Sequence, residues 1–225
     1  MPAGATRGRI PGLFQAALFD MDGTLVDSSR NGERAWRTLA ARWQLAPLED
    51  AHFLAMHGQP ARQSFRQLLP AALVAAACRE VEEIERRDTE GVVALPGAVR
   101  LFEEVPQERK AVVTSNFRAV AQARLDASGM VVPQNLVTAE TIRHGKPHPE
   151  PFLTGAALLG VPAERTVAFE DTIAGVRSAR AAGCTVIAVL GLYDPAELAE
   201  ADHVVTGLDR VRIENLPDGL AVFLD

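Results

Sequence analysis

Two carboxylates two residues apart, Asp20 and Asp22, close the apolar run Ala16-Ala17-Leu18-Phe19, and Gly23-Thr24 turns the chain directly after them. Asp22-Gly23 alone could be a tight turn. Folding, however, does not ask for two acids at the end of an apolar strand. Ionised carboxylates there repel each other and resist desolvation, so such pairs usually do chemistry or hold a cation. In open α/β sheets, ligands also bind at the carboxyl ends of the strands.

Three further polar clusters follow apolar runs in the same way. Thr114-Ser115-Asn116 ends Ala111-Val112-Val113, Lys146-Pro147 lies in the loop beyond Leu136, and Glu170-Asp171 closes Thr166–Phe169. On one parallel sheet all four clusters meet at one edge, with the parts that phosphoryl transfer needs. Asp20 attacks phosphorus to give an aspartyl-phosphate. Asp22 protonates the leaving oxygen and then deprotonates the attacking water. The acidic cluster holds Mg²⁺, which cancels charge between the attacking anion and the phosphate. Thr114, Ser115 and Asn116 with the N–H groups around them, and Lys146, hold the phosphate oxygens. Each outer cluster has a plainer reading as well. Hydroxyl residues at a strand end often cap the next helix, most lysines are solvated, and Asp171 fits the N-cap of a helix starting near Thr172.

These residues must be positioned by strands and helices in alternation. The pattern predicts strands at Ala16–Asp20, Lys110–Ser115, Leu136–Ala139, Thr166–Phe169, Thr185–Val189 and His203–Thr206. Several are apolar throughout, as expected of strands buried on both faces of a parallel sheet. Helices are predicted at Val99–Val105, Arg118–Ser128, Glu150–Leu159 and Ala174–Ala182, with Gly129, Gly160 and Gly183 ending three of them. The fold class is therefore α/β, a doubly wound parallel sheet. Residues 212–224 read as a terminal hairpin turned at Pro217-Asp218-Gly219.

Residues 30–93 break the alternation and carry helical patterns instead, at Glu33–Trp43, Glu49–His57, Arg62–Leu69 and Ala71–Thr89. Ala35, Trp36, Leu39, Ala40 and Trp43 form one apolar stripe. The expected organisation is an α/β core over 1–29 and 94–225 with a helical insert over 30–93, tethered beside the acids and placed to act as a lid.

The segments Asp20-x-Asp22-Gly23-Thr24-Leu25-Val26-Asp27-Ser28, Thr114-Ser115, Gly145–Phe152 and Phe169–Val176 resemble the four signatures of the haloacid dehalogenase-like superfamily. The insert is similar to that superfamily's small helical cap. The likeness covers the chain after its first dozen residues, and is nearest to sugar, sugar-alcohol and glycerol phosphatases. It implies a Mg²⁺ held by a side-chain oxygen of Asp20, the backbone carbonyl of Asp22 and Asp171, with Glu170 direct or through water. In the cap it implies substrate contacts from His57, Gly58, Gln59 and Arg62. His57-Gly58 also fits a helix C-terminus, and Arg62 lies one position from the substrate-binding arginine of related mutases, where this chain has Ala61.

The expected function is Mg²⁺-dependent hydrolysis of a small sugar or polyol phosphomonoester. A phosphosugar mutase shares every core residue. A dehalogenase has no need of Asp22, and a non-enzymatic phospho-receiver or interaction module leaves unexplained an insert of about sixty residues, longer than any ordinary loop.

Composition restricts the partners. The chain has 225 residues, 48% hydrophobic and 23% charged, with a formal charge of −6. An acidic balance argues against nucleic acid, and no apolar run reaches the roughly 20 residues that span a bilayer. Met1–Arg9 lacks the apolar stretch of a signal peptide and reads as a frayed tail. Cys78 and Cys184 are expected to be free buried thiols. A cytoplasmic monomer acting on a small molecule is the resulting expectation.

Overall fold

The computed structural model describes residues 8–45, 49 and 59–225. Six strands form one parallel sheet: β2 (Ala16–Phe19), β5 (Lys110–Val113), β6 (Leu136–Val137), β7 (Thr166–Glu170), β8 (Thr185–Val189) and β9 (His203–Val205). Their order across the sheet is β6-β5-β2-β7-β8-β9. The first strand therefore lies centrally, with the next strands added to one side and the later ones to the other. That reversal opens a crevice at the carboxyl end of β2, the usual ligand position in doubly wound sheets.

The strands are buried on both faces because their side chains alternate between two apolar layers. Ala17 and Phe19, Val112, Val167 and Phe169, Ile187 and Val189 face one layer. Leu18, Ala111 and Val113, Ala168, Val186 and Ala188 face the other. The first layer is covered by α4 (Ala98–Glu104), α5 (Arg118–Ala127) and the hairpin of β10 (Val211–Leu216) and β11 (Gly219–Leu224). The second is covered by α6 (Glu150–Leu158) and α7 (Ile173–Ala182). Phe19 stacks on Phe169 across the central strand pair, with ring centroids 4.8 Å apart. Gly129, Gly160 and Gly183 all have positive φ at the ends of helical segments.

Between β3 (Val26–Asp27) and β4 (Val93–Ala94) the described chain is helical: α1 (Ser29–Arg42), α2 (Ala61–Leu68) and α3 (Ala71–Arg87). These helices share their own apolar cluster of Ala35, Leu39, Phe65, Val74, Ala77, Cys78 and Val81. Trp36 stacks on Phe65 at 4.3 Å. The two stems of this segment pair as an antiparallel ribbon, β3 with β4, too short to leave a period-two pattern in the sequence. The helix expected at Glu49–His57 falls, apart from Glu49, outside the described residues.

Two local expectations are corrected. Gly8–Arg9, within the expected frayed tail, forms β1 and pairs with β11. Asp171 does not cap α7. The N-cap is Thr172, whose hydroxyl accepts from Gly175 N at 3.0 Å.

Candidate active site

Asp20 leaves β2 at the centre of the sheet edge, and its carboxylate accepts a hydrogen bond from Nζ of Lys146. The Lys146 ammonium, 1% exposed, also donates to Oε1 of Glu170 at 2.5 Å and to the Val113 carbonyl at 3.1 Å. Two predicted carboxylates, from the ends of β2 and β7, thus converge on one buried ammonium. Burial lowers the affinity of Lys146 for its proton, but the two carboxylates outweigh it and hold the group charged.

Glu170 anchors the first turn of α7. Its Oε2 accepts from Asp171 N at 2.9 Å, Thr172 N at 2.8 Å and the Thr172 hydroxyl at 2.9 Å. Gly175 is required beneath it, because a Cβ there would lie 1.7 Å from Oε1 of Glu170. Asp171 accepts from the Thr24 hydroxyl at 3.3 Å, and its other carboxylate oxygen fills the space beside Gly23.

Asp20, Glu170 and Asp171 bring carboxylate oxygens within 4.8 Å of one another, all three residues buried. Burial first, and then the neighbouring acids, pushes Asp20 and Asp171 well above the usual carboxylate range, with Lys146 only partly opposing the rise. A hard cation bound by oxygen relieves this kind of surplus, so the donor set fits a metal such as Mg²⁺.

Asp22 is held differently. Its Oδ1 accepts from the Ser28 hydroxyl at 2.5 Å and from Nη1 of Arg124 at 2.6 Å, and its Oδ2 accepts from Nδ2 of Asn116 at 2.5 Å. The Asn116 amide is therefore engaged with the second carboxylate. Thr114 Oγ1 accepts from Asn116 N at 3.1 Å, which leaves its own proton free to donate. Thr114 and Ser115 both line the cleft.

That cleft, about 740 Å³, runs from Asp20 and Asp22 to the helical segment. Ser29, Glu33, Trp36, Gln59, Ala61 and Glu85 line it from that side. Arg62 is exposed on α2 and is not part of the lining, and His57 and Gly58 lie outside the described residues. His144 and His148 are exposed and both bond Glu150.

The profile of the family described as haloacid dehalogenase-like hydrolase matches residues 17–189. The chain belongs to that family. It is 42% identical to hexitol phosphatase A of Escherichia coli (strain K12), over 90% of this chain and 95% of that protein. It is 32% identical to glycerol-1-phosphate phosphohydrolase 2 of Saccharomyces cerevisiae, over 88% and 84%. A solved hydrolase from Pseudomonas syringae superposes with a TM-score of 0.78 at 26% identity, covering 87% of this chain and 94% of that one. No described helix is long and apolar enough to cross a membrane.

The motif reading did not give Ser28, Arg124 and Glu85 a place around Asp22. A signal for the last two was present. Arg124 falls on the buried stripe of α5 with Val120, Ala121 and Leu125, and Glu85 falls on that of α3 with Val74, Ala77, Cys78 and Val81. A charge on an apolar stripe requires a partner.

Proposed function

We propose that this chain hydrolyses a small sugar or polyol phosphomonoester through an aspartyl-phosphate, with Mg²⁺ as cofactor. The observation that carries the reading is the pairing of two unlike carboxylates: Asp20 against Lys146 at the switch point, and Asp22 fixed by three donors beside it.

Asp20 attacks phosphorus while Thr114, nearby backbone N–H groups and Lys146 hold the phosphate oxygens. Asp22 gives its proton to the leaving alkoxide and later takes one from the water that attacks the phosphoenzyme. Mg²⁺ held by Asp20, Asp171 and the Asp22 carbonyl, with Glu170 behind them, would supply the positive charge that lets a carboxylate approach a phosphate dianion.

The helical segment over residues 30–93 acts as a cap that reads the leaving group. Its described lining residues include the carboxylate of Glu33 and the amide of Gln59, suited to hydroxyls, and the indole face of Trp36, suited to a carbon skeleton. Among the described residues it adds no cationic side chain to the cleft. A mutase needs such a cation to grip the second phosphate of a bisphosphate, so hydrolysis of monophosphates is favoured. The hexitol and glycerol phosphatase relatives support the same substrate class.

The test is phosphate release from a panel of hexitol, glycerol, hexose and nucleotide phosphates, with and without Mg²⁺. Turnover of polyol or sugar phosphates that depends on Mg²⁺ is expected. Faster accumulation of a hexose 6-phosphate from its 1-phosphate than of free phosphate would identify a mutase instead.

A further inference from the structure

Arg124 is the one arginine on the buried stripe of α5, 4% exposed at its side chain, and it reaches between two carboxylates. Nη1 donates to Asp22 at 2.6 Å, while Nη2 lies 3.6 Å from Oε1 of Glu85. Glu85 belongs to α3 and is itself buried, with 8% of its side chain exposed. One guanidinium therefore spans from the core residue Asp22 to a helix of the cap.

The second contact is unfinished. At 3.6 Å it is an ion pair but not a hydrogen bond. Nε and Nη2 of Arg124 have no hydrogen-bond partner. A buried arginine left with two unmet donors is costly and has no packing purpose that a leucine would not serve better. A small approach of α3 would bring Nη2 within hydrogen-bond distance of Glu85 Oε1.

Resting on the phosphatase reading, we propose that Arg124 is the positioning residue for Asp22 and that Glu85 ties it to the cap, so that seating the cap holds in place the guanidinium that orients Asp22. In the first step the bond from Asp20 to phosphorus forms, the phosphorus–oxygen ester bond breaks, and the Asp22 proton passes to the departing alkoxide. A misdirected Asp22 fails at that last transfer alone. A leaving group stable as an anion, such as p-nitrophenolate, needs no proton and escapes the defect.

The experiment compares kcat/KM, which reports only steps up to leaving-group departure, for a hexitol phosphate and for p-nitrophenyl phosphate. Arg124→Met is expected to lose about 10²-fold on the hexitol phosphate, the low end of a general acid's contribution, and less than about fivefold on p-nitrophenyl phosphate. Arg124→Lys, which keeps one charged donor, recovers part of the loss. Glu85→Gln is expected to lose about tenfold on the hexitol phosphate alone, and to have almost no effect added to Arg124→Met, because coupled residues are not additive. Equal losses on both substrates, no loss, or full additivity of the two substitutions would overturn the proposal. Should Arg124→Met not fold, the substrate selectivity of the Arg124→Lys loss decides the same question. Wild-type protein that turns over neither ester would refute the phosphatase reading itself, a result distinct from any of these.

Discussion

The carboxylate of Asp171 occupies the place that a side chain on Gly23 would need: a Cβ there would lie 2.0 Å from Oδ2 of Asp171. Gly23 also has φ of +86°, in the left-handed region. The turn after Asp22 and the acid after β7 are thus packed backbone to side chain, and no larger residue fits between them. Gly23→Ala is expected to destabilise by at least about 1–2 kcal/mol from φ alone. It should also displace Asp171 and cut phosphate release by roughly tenfold or more, the equivalent of about 1.4 kcal/mol in the barrier. Urea denaturation and turnover of the same preparation check both.

Asp20→Asn keeps the shape of the side chain and, on the proposed mechanism, removes the attacking anion. Phosphate release is expected to fall to background. Because burial and neighbouring acids disfavour the Asp20 anion, the variant should melt no lower than wild type without metal. Retention of more than a few per cent of wild-type turnover would exclude Asp20 as the nucleophile.

The neighbouring acids of β7 should separate in their effects. Glu170 accepts three hydrogen bonds from the first turn of α7 and one from Lys146, so Glu170→Gln turns an acceptor into a donor among donors. It is expected to cost about 1–3 kcal/mol of stability or more. Asp171→Asn should raise the Mg²⁺ concentration needed for half-maximal activity without lowering the melting temperature of the metal-free protein. A larger shift in Mg²⁺ requirement for Glu170→Gln would mean that the two roles are exchanged.

Glu85 gives stability a pH dependence that can be read at one site. Burial raises its carboxyl to about 7, with Arg124 and a hydrogen bond from Trp36 opposing the rise and Asp22 and Glu82 adding to it. The folded protein therefore holds this proton more tightly than the unfolded chain does. Its stabilising contribution is complete below the unfolded value near 4.5 and is lost as pH rises through about 7. Relative to wild type, Glu85→Gln is expected to gain stability between pH 5 and pH 8, on the order of 3 kcal/mol. Denaturant melts at the two pH values measure it; a difference independent of pH would show that Glu85 titrates normally.

Much of this was legible in the chain itself. Uninterrupted apolar runs such as Val186-Ile187-Ala188-Val189 specify strands buried on both faces, since each face needs its own apolar set. Four polar clusters at the ends of such runs specify one edge of a parallel sheet, and with them the convergence of Asp20, Thr114, Lys146 and Asp171. The family likeness read from the same motifs agrees with the matched profile over residues 17–189. Period and motif are local properties, and local sequence carries them.

What tertiary structure alone decided is which polar group meets which. Asn116 reads as one of three phosphate-site residues in sequence, but its amide is bonded to Asp22, because the turn after β5 brings it over the turn after β2. Asp171 reads as a helix cap, yet Thr172 does the capping while Asp171 faces Gly23 and Thr24. Gly8–Arg9 reads as a tail, but the open edge of β11 supplies the hydrogen bonds that order it. Arg124 and Glu85 lie 39 positions apart on different helices, and each alone is only a charge misplaced on an apolar stripe. Partner choice depends on distance in space, which packing sets and which no short window of sequence contains.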